Sequence, residues 1–256
     1  MMKNNELNAV KEHWEDVKTV SLKDNNLQFL ERRTILDFIE RTKKNTLKDI
    51  GCGDGSDTIF FAEKFNKVFA YDYSSTMLEK ASKVLSDAEN ISLSNLDIIE
   101  DQLDQKSDVV ITKRMLINLG SFQNQKNAIK KIYDSLEDDG YLIMLETSVD
   151  GLEKLNYYRK KFDLHDIPKP FHNTLFVLDE LKFFVEEFFI IEDVSFFSTY
   201  FFLTRIYNPL LNESNYMKYD EKAKNVAIQN LNLFSPKEII GPQFCMLLKK
   251  KSGYDQ

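Results

Sequence analysis

The feature that most constrains the fold of this 256-residue chain is an alternation of short apolar runs with helical patterns between residues 46 and 150. One run, SDVVIT at residues 107–112, is apolar and β-branched in the way of a strand buried on both faces. Repeated strand–helix units predict a parallel sheet with helices on both faces. A further apolar run, QFCMLLKKK, predicts a late strand in an antiparallel hairpin at the sheet edge. We therefore predict an α/β fold with a doubly wound, mostly parallel sheet.

The same patterning divides a single domain into three segments. In residues 1–45 the apolar side chains recur at the spacing of a helix. Four apolar residues there share one face: Leu7, Val10, Trp14 and Val17. Residues 46–150 carry the alternation. Residues 151–256 begin with a less regular insert over 151–176, which contains two prolines and two histidines, and they end in the last strands.

The composition makes several classes of protein less favoured, although it does not exclude a nucleic-acid partner. With 43% hydrophobic and 29% charged residues, the chain can fill a core. The net charge is −7, so the chain lacks the excess of basic residues that is usual in a nucleic-acid-binding protein. The sequence has no apolar run of about eighteen residues and no apolar leader, and Cys52 and Cys245 cannot form a disulfide framework. We expect a cytoplasmic globular protein with no nucleic-acid partner and no membrane segment.

The most specific motif is DIGCGDG, residues 49–55, between a predicted strand and a predicted helix. Glycines in such a turn let the backbone bend sharply and let a ligand approach closely. The helix after the turn offers free backbone N–H groups to an anionic group. A dinucleotide site uses G-x-G-x-x-G, but here the third glycine comes one residue early. The spacing therefore disfavours a nicotinamide dehydrogenase.

Acidic residues lie at the ends of the next two predicted strands. Asp72 ends the second strand, where a carboxylate can accept hydrogen bonds from both hydroxyls of a ribose. Asp97 ends the third and is placed to meet an adenine amino group. A structural turn alone would explain the glycines. The glycines and the two aspartates together favour a nucleotide site.

These motifs, with SDVVITKRMLINL and LEDDGYLIMLET, resemble the successive motifs of class I S-adenosylmethionine-dependent methyltransferases over residues 45–150. The resemblance implies a Rossmann-like methyltransferase fold: a seven-stranded sheet, N-terminal helices, and an insert or cap after the fifth strand. It implies S-adenosylmethionine as cofactor and S-adenosylhomocysteine as product. One departure is Asp-Asp-Gly before the fifth strand, where many relatives have Pro-Gly-Gly.

The resemblance also implies which residues bind the cofactor. They are Asp49, Gly51, Cys52, Gly53, Gly55, Asp72, Tyr73, Asp97, Ile98 and Lys113. By the resemblance, Asp49 and the glycine loop hold the methionine part. Asp72 binds the ribose, and Asp97 with Ile98 flanks the adenine. Lys113 and Arg114 border the methyl-transfer pocket.

A narrower resemblance concerns the second half of the chain. The stretches LINLGSFQNQKNAIKKIYDSL, LETSVDGLEKLNYYRKKFDL and PFHNTLF are similar to bacterial methyltransferases associated with surface-polysaccharide gene clusters. This resemblance implies a small, sugar-type acceptor.

Methyl transfer requires alignment, exclusion of water and removal of one proton, and a base matters most when a hydroxyl is methylated. Two candidate catalytic residues are His172 in the insert and Glu146 at the end of the fifth strand. A loop histidine is more often a surface residue, and Glu146 could instead bind a loop backbone. His165 and Asp150 are weaker candidates. Tyr200 and Arg205 could bind an acceptor, but an aromatic stretch such as theirs is more often core and pocket wall.

We expect no metal, because the three histidines lack ligand spacing. The leading hypothesis is a small-molecule methyltransferase that acts on an oxygen of a sugar or of a nucleotide-linked surface-polysaccharide precursor. Two alternatives stay open. The chain could methylate a protein or RNA, or it could be a catalytically silent cofactor-binding subunit.

Overall fold

The computed structural model describes residues 2–16, 18, 24–211, 221–229, 234 and 239–252, so Val17 of the predicted helical face lies outside it. The helices are α1 (Met2–Glu15), α2 (Asn25–Ile39), α3 (Thr58–Ala62), α4 (Ser75–Val84), α5 (Phe122–Asp134), α6 (Val149–Lys161), α7 (Leu178–Val185), α8 (Ser198–Phe202), α9 (Asn208–Leu211) and α10 (Glu221–Gln229). A 3-10 helix covers Leu116–Asn118, and a π-helix covers Leu203–Tyr207. The strands are β1 (Thr46–Ile50), β2 (Lys67–Asp72), β3 (Ile91–Asn95), β4 (Ser107–Lys113), β5 (Leu136–Thr147), β6 (Phe189–Phe196) and β7 (Gln243–Lys250).

Within the described part of the chain these strands form one seven-stranded sheet in the order β3-β2-β1-β4-β5-β7-β6. The pairs β1–β2, β2–β3, β1–β4 and β4–β5 are parallel. Strand β7 lies antiparallel between β5 and β6. The predicted α/β class, the doubly wound sheet and the late antiparallel pair are confirmed.

Strand β4 shows why a continuous apolar run marks the centre of such a sheet. Alternate residues of a strand point to opposite faces. Val110 packs into one core with Ile129 of α5 and Leu142 of β5. Its neighbours Val109 and Ile111 pack into the core on the other face. Both faces are covered, so neither set of side chains can be polar.

The insert departs from the prediction. Residues 149–161, most of which belong to the stretch expected to be irregular, form α6. The Ser148 side chain begins that helix by accepting a hydrogen bond from the Gly151 N–H at 3.2 Å. The prolines at 168 and 170 lie beyond the helix and do not interrupt it. The sequence after β2 predicts a helix that is capped by Ser74 or Ser75 and has Val84 on its apolar face. In the structure Ser74 is the N-cap of α4, but Val84 is 46% exposed.

The first helix, α1, packs against the start of α4 rather than on the sheet. The Ser74 hydroxyl donates to the Trp14 carbonyl at 2.9 Å. The Glu15 carboxylate accepts from the backbone N–H groups of Ser75 and Thr76 at 3.0 and 3.2 Å. This carboxylate lies at the positive end of the α4 dipole, which stabilises the contact. None of the described helices is both long enough and apolar enough to cross a bilayer.

Candidate active site

A single cleft collects most of the predicted site residues. It lies where β1, β2 and β4 end, the edge of an open α/β sheet at which ligands bind. The glycine loop and the turns after β2, β3 and β4 form its floor and sides. Helix α1 covers it, and His172 and Asn173 of the insert border it. The cleft encloses about 950 Å³, including its mouth open to solvent.

Two glycines of the loop have different structural roles. Gly51 has φ +79°, and a Cβ atom there would lie 2.4 Å from Met115 Cγ, so this position must stay small for the turn to pack. Gly53 has φ +57°, and a Cβ atom there would meet no described atom within 4 Å. The backbone at Gly53 therefore borders the open cleft, where a ligand can approach it.

Asp72 is fixed by the loop it faces. Its Oδ2 accepts from the Gly53 N–H at 2.9 Å, and its Oδ1 accepts from the Ser74 N–H at 2.9 Å. Burial raises the pKa of this carboxyl, although these backbone donors oppose the shift. Each carboxylate oxygen can accept a second hydrogen bond. Asp72 is thus held at the cleft with acceptor capacity for two hydroxyls.

The turn after β3 meets α1 across the cleft. Asp97, two residues beyond the strand, accepts from the Ile99 N–H at 3.0 Å and forms an ion pair with Lys11 of α1. The Tyr73 hydroxyl donates to the Lys11 carbonyl at 3.1 Å. Ile98 lines the cleft beside them. These contacts hold α1 over the part of the cleft where adenine binding is predicted.

Three residues of the predicted cofactor set are not among the described residues that line the cleft: Asp49, Cys52 and Gly55. Asp49 lies beneath the loop and accepts from the Thr58 hydroxyl at 2.6 Å, which ties β1 to α3. Burial raises the pKa of Asp49 to about 7. A Cβ atom at Gly55 would lie 3.0 Å from Leu85 Cγ, so this glycine packs against the end of α4.

Lys113 borders the cleft but is held by an ion network that the sequence did not reveal. Its Nζ lies 3.1 Å from Glu31 Oε2 and also pairs with Asp57. Arg32 Nε donates to Asp57 at 2.7 Å, and Arg114 Nη2 lies 3.7 Å from Glu31 Oε2. Glu31 lies on α2 and is fully buried. The sequence around it does not indicate this role, because its partner Lys113 is far along the chain. The network ties α2 to the glycine loop and to the end of β4.

Glu146 lies beneath the cleft and not in its lining, as far as the described residues define it. Its carboxylate accepts from the backbone N–H groups of Met115, Leu116 and Ile117 at 3.2, 3.1 and 3.3 Å. Burial raises its pKa to about 8, although the three backbone donors oppose the shift. These contacts match the alternative in which Glu146 binds a loop backbone and positions the segment after β4.

His172 borders the cleft and packs on the end of α1. Its ring stacks on that of His13, with centroids 4.5 Å apart and planes at 16°. It also contacts the edge of Trp14, with ring centroids 5.9 Å apart. Burial and, secondarily, the nearby His13 lower the pKa of His172. The imidazole is therefore held in its neutral form, which can accept a proton.

The weaker candidates lie elsewhere. The Asp150 carboxylate accepts from the Leu178 N–H at 2.9 Å and so stabilises the first residue of α7. Tyr200 and Arg205 are buried and bind Asp24 at 2.8 and 2.6 Å, as the core alternative requires. Among the described residues no group of three or more His, Cys, Asp and Glu side chains is arranged to hold a metal.

Comparisons with known proteins find similarity to methyltransferases over part of the chain. A family model described as a methyltransferase domain matches residues 49–142. A putative methyltransferase, 235L, of Invertebrate iridescent virus 6 is 28% identical over 92 residues, which are 35% of this chain and 34% of that protein. A malonyl-[acyl-carrier protein] O-methyltransferase of Acetivibrio thermocellus is 30% identical over 113 residues, which are 43% of this chain and 38% of that protein. The chain thus spans about a third of the length of these curated relatives.

Solved structures extend the likeness to the whole fold. The N-methyltransferase NodS from Bradyrhizobium japonicum, in complex with S-adenosylhomocysteine, superposes with a TM-score of 0.62 over 97% of this chain and 100% of that one. An S-adenosylmethionine-dependent methyltransferase from Clostridium acetobutylicum superposes with a TM-score of 0.55 over 90% of this chain and 92% of that one. At 11% and 13% identity these likenesses show the fold alone. The family model matches residues 49–142, which are less than half of the chain. The superpositions and the strand order show that the chain has the Rossmann-like fold of class I, S-adenosylmethionine-dependent methyltransferases.

Proposed function

We propose that the protein transfers a methyl group from S-adenosylmethionine to a small-molecule acceptor. The favoured acceptor is an oxygen of a sugar or of a nucleotide-linked precursor of a surface polysaccharide. The observation that carries the proposal is the cleft itself. A ligand-accessible glycine loop and the His172 imidazole border the same cavity, under one covering helix.

The cofactor-binding part of the proposal rests on three fixed groups. The backbone at Gly53 leaves room for the methionine part of the cofactor. Asp72 has acceptor capacity for the two ribose hydroxyls, and Asp97 with Ile98 lies where the adenine would bind. When bound, S-adenosylmethionine supplies a methyl group already activated by a sulfonium. The chain therefore has to hold both ligands in line and exclude water, and α1 supplies the cover.

We assign the general base to His172. Its lowered pKa keeps the imidazole unprotonated at neutral pH, so it can take the proton that an acceptor hydroxyl loses. Glu146, with three backbone donors on its carboxylate, is proposed as a positioning residue. It holds the segment after β4, which borders the same cleft.

A small acceptor is favoured by the way the cleft is covered. Helix α1 and the insert meet across it through the stacked rings of His13 and His172. A macromolecule would have to displace this contact. The net charge of −7 also weakens attraction to RNA. The polysaccharide context rests on the sequence resemblance alone, and the cytoplasm remains our prediction for its compartment.

Calorimetric titration tests the first half of the proposal. S-adenosylmethionine and S-adenosylhomocysteine should bind at micromolar concentrations, and NADH, the control, should not. The Asp72→Ala variant should lose much of this affinity, whereas Asp87→Ala, at an exposed aspartate, should retain it. Binding of NADH, or no sulfur nucleoside bound by the folded protein, would contradict the proposal.

A transfer assay tests the second half. Isotopically labelled methyl groups should move to a nucleotide-linked hexose in a reaction that depends on His172. Transfer to RNA or to protein in its place would support the macromolecular alternative. Tight cofactor binding without transfer to any acceptor class would support the silent-subunit alternative.

A further inference from the structure

We propose that Trp14, Asn118 and His172 form an acceptor subsite that recognises neighbouring hydroxyl groups of a polyhydroxylated ring. The inference rests on the proposed function and adds the residues that read the acceptor. The three side chains come from three separate parts of the chain: α1, the 3-10 helix after β4, and the insert. All three line the cleft.

The first observation is a set of unsatisfied polar atoms. Trp14 Nε1, Asn118 Oδ1 and His172 Nδ1 are each buried, and each makes no hydrogen bond within the described residues. Burying a polar atom without a partner costs free energy, so native proteins keep few of them. Three residues that line one cleft each carry such an atom, and we infer that a bound ligand supplies the missing partners.

The second observation is that these side chains are neighbours. The rings of Trp14 and His172 are in edge contact, with centroids 5.9 Å apart. The Thr174 N–H donates to the Ile117 carbonyl at 2.6 Å. This hydrogen bond holds the insert against the 3-10 helix at the residue before Asn118. The three residues therefore lie on neighbouring parts of the cleft wall, and we infer that one ring-sized ligand contacts them together.

The orientation of Asn118 is set by its other hydrogen bond. Its Nδ2 donates to the Arg114 carbonyl at 2.7 Å. The amide oxygen is therefore the atom left to meet a ligand. An amide oxygen can accept hydrogen bonds and cannot donate one.

The chemistry of the three atoms selects the acceptor class. The indole Nε1 of Trp14 can donate and cannot accept, and Asn118 Oδ1 has the opposite property. The imidazole Nδ1 of His172 can do either, according to its tautomer. A hydroxyl group donates and accepts at once, so neighbouring hydroxyls satisfy all three atoms. A protonated amine would leave the indole N–H without an acceptor, and a carboxylate would place negative charge near Asn118 Oδ1.

The sharpest variant is Trp14→Phe, because it removes the indole N–H and keeps an aromatic ring. Asn118→Leu removes the amide oxygen at similar volume. Tyr157→Phe is the matched control, since it removes one polar group from an exposed ring outside the cleft. Thermal unfolding of each variant shows whether the fold is retained.

The probes are UDP-glucose, GDP-mannose and D-glucose, each titrated by calorimetry into protein saturated with S-adenosylhomocysteine. Cyclohexylamine and cyclohexanecarboxylate serve as ring compounds without hydroxyls. We expect at least one hydroxylated probe to bind. Trp14→Phe and Asn118→Leu should each raise its Kd about tenfold, the effect of one lost hydrogen bond. The affinity for S-adenosylhomocysteine should change less than twofold, and Tyr157→Phe should match the wild type.

Three results would overturn the inference. Trp14→Phe could weaken S-adenosylhomocysteine binding tenfold, which would assign the indole to the cofactor. The hydroxylated probes could bind wild type and variants equally. They could also fail to bind, with or without binding of the amine or the acid. In the last two cases the binding of S-adenosylhomocysteine to the wild type decides what survives. If the wild type binds it, the proposed function stands and only the acceptor subsite is refuted. If the wild type does not bind it, the proposed function and the subsite are both refuted.

Discussion

The two sides of the cleft satisfy their polar groups in different ways. On the side of the glycine loop, Asp72 binds the backbone N–H groups of Gly53 and Ser74, so the site is organised by the chain itself. On the side of α1 and the insert, Trp14 Nε1 and His172 Nδ1 have no hydrogen-bond partner in the part of the chain described. The first side is therefore organised by hydrogen bonds within the chain. The second side keeps polar atoms that the proposed acceptor would satisfy.

Replacement of His172 should give the greatest loss of activity, and it should affect catalysis without affecting cofactor binding. His172→Ala should lower kcat by about 10²–10⁴-fold, because it removes the proposed general base. The Kd for S-adenosylhomocysteine should stay within about twofold, because the contacts of Asp72 and Gly53 do not involve this ring. Steady-state kinetics and calorimetry provide the two numbers. His165→Ala is the matched control, since its side chain does not line the cleft. Normal turnover of His172→Ala would refute the assignment of the base.

The glycine-loop side has its own decisive variant. Gly53→Val should weaken binding of S-adenosylhomocysteine by more than about 100-fold, because its side chain would enter the cleft and φ is +57° there. The strain of that φ should cost only about 1–2 kcal/mol of folding free energy. Circular dichroism and thermal unfolding would verify a folded protein. A folded variant with unchanged affinity would show that the turn is structural.

Glu146 supports both sides, because the segment it binds includes Met115 beside Gly51 and precedes Asn118. Glu146→Ala should lower the free energy of unfolding by about 3 kcal/mol, since buried backbone N–H groups lose their acceptor. Urea denaturation measures this loss. Glu146→Gln keeps one acceptor oxygen and should lose less. A fully stable Glu146→Ala variant would contradict the positioning role.

Asp72→Ala should weaken cofactor affinity by about 1–3 kcal/mol, or roughly 5- to 150-fold, because it leaves the Gly53 and Ser74 N–H groups and the ligand hydroxyls without an acceptor. Calorimetry with S-adenosylhomocysteine measures the change. The binding of a hydroxylated acceptor to the cofactor-saturated variant should be nearly normal. Equal losses for both ligands would break the distinction between the two sides.

The last prediction concerns the dependence of stability on pH. Burial raises the pKa of Asp49 to about 7, from an ordinary value of 3.8. The folded state therefore binds this proton more tightly than the unfolded state, so the stability linked to Asp49 is lost as the pH rises from about 4 to about 7. The difference in free energy of unfolding between wild type and Asp49→Asn should change in that window, and urea denaturation at several pH values tests it. A constant difference would show that the Asp49 pKa is not raised.

Prediction from sequence succeeded where local chemistry decides the outcome. Ser74 and Ser75 were the two predicted caps of α4, because a hydroxyl before an apolar periodic segment can bind the free N–H groups of a helix start, and Ser74 is the cap. SDVVIT was identified as a central strand because both of its faces are apolar. Prediction missed the helix formed by residues 149–161 and the role of Glu31. A buried glutamate on a helix has no local mark of the lysine it meets, since Lys113 is far along the chain.

The sequence alone determined the α/β class, the glycine loop and the aspartates at the strand ends, because periodicity, turn chemistry and strand direction are local properties. The packing of the folded chain places Glu146 under the cleft and His172 at its border, and it brings Trp14 of α1 to the insert. The physical reason is that these side chains meet across long stretches of chain. Their partners are selected by how the helices and the sheet pack, which no short segment encodes.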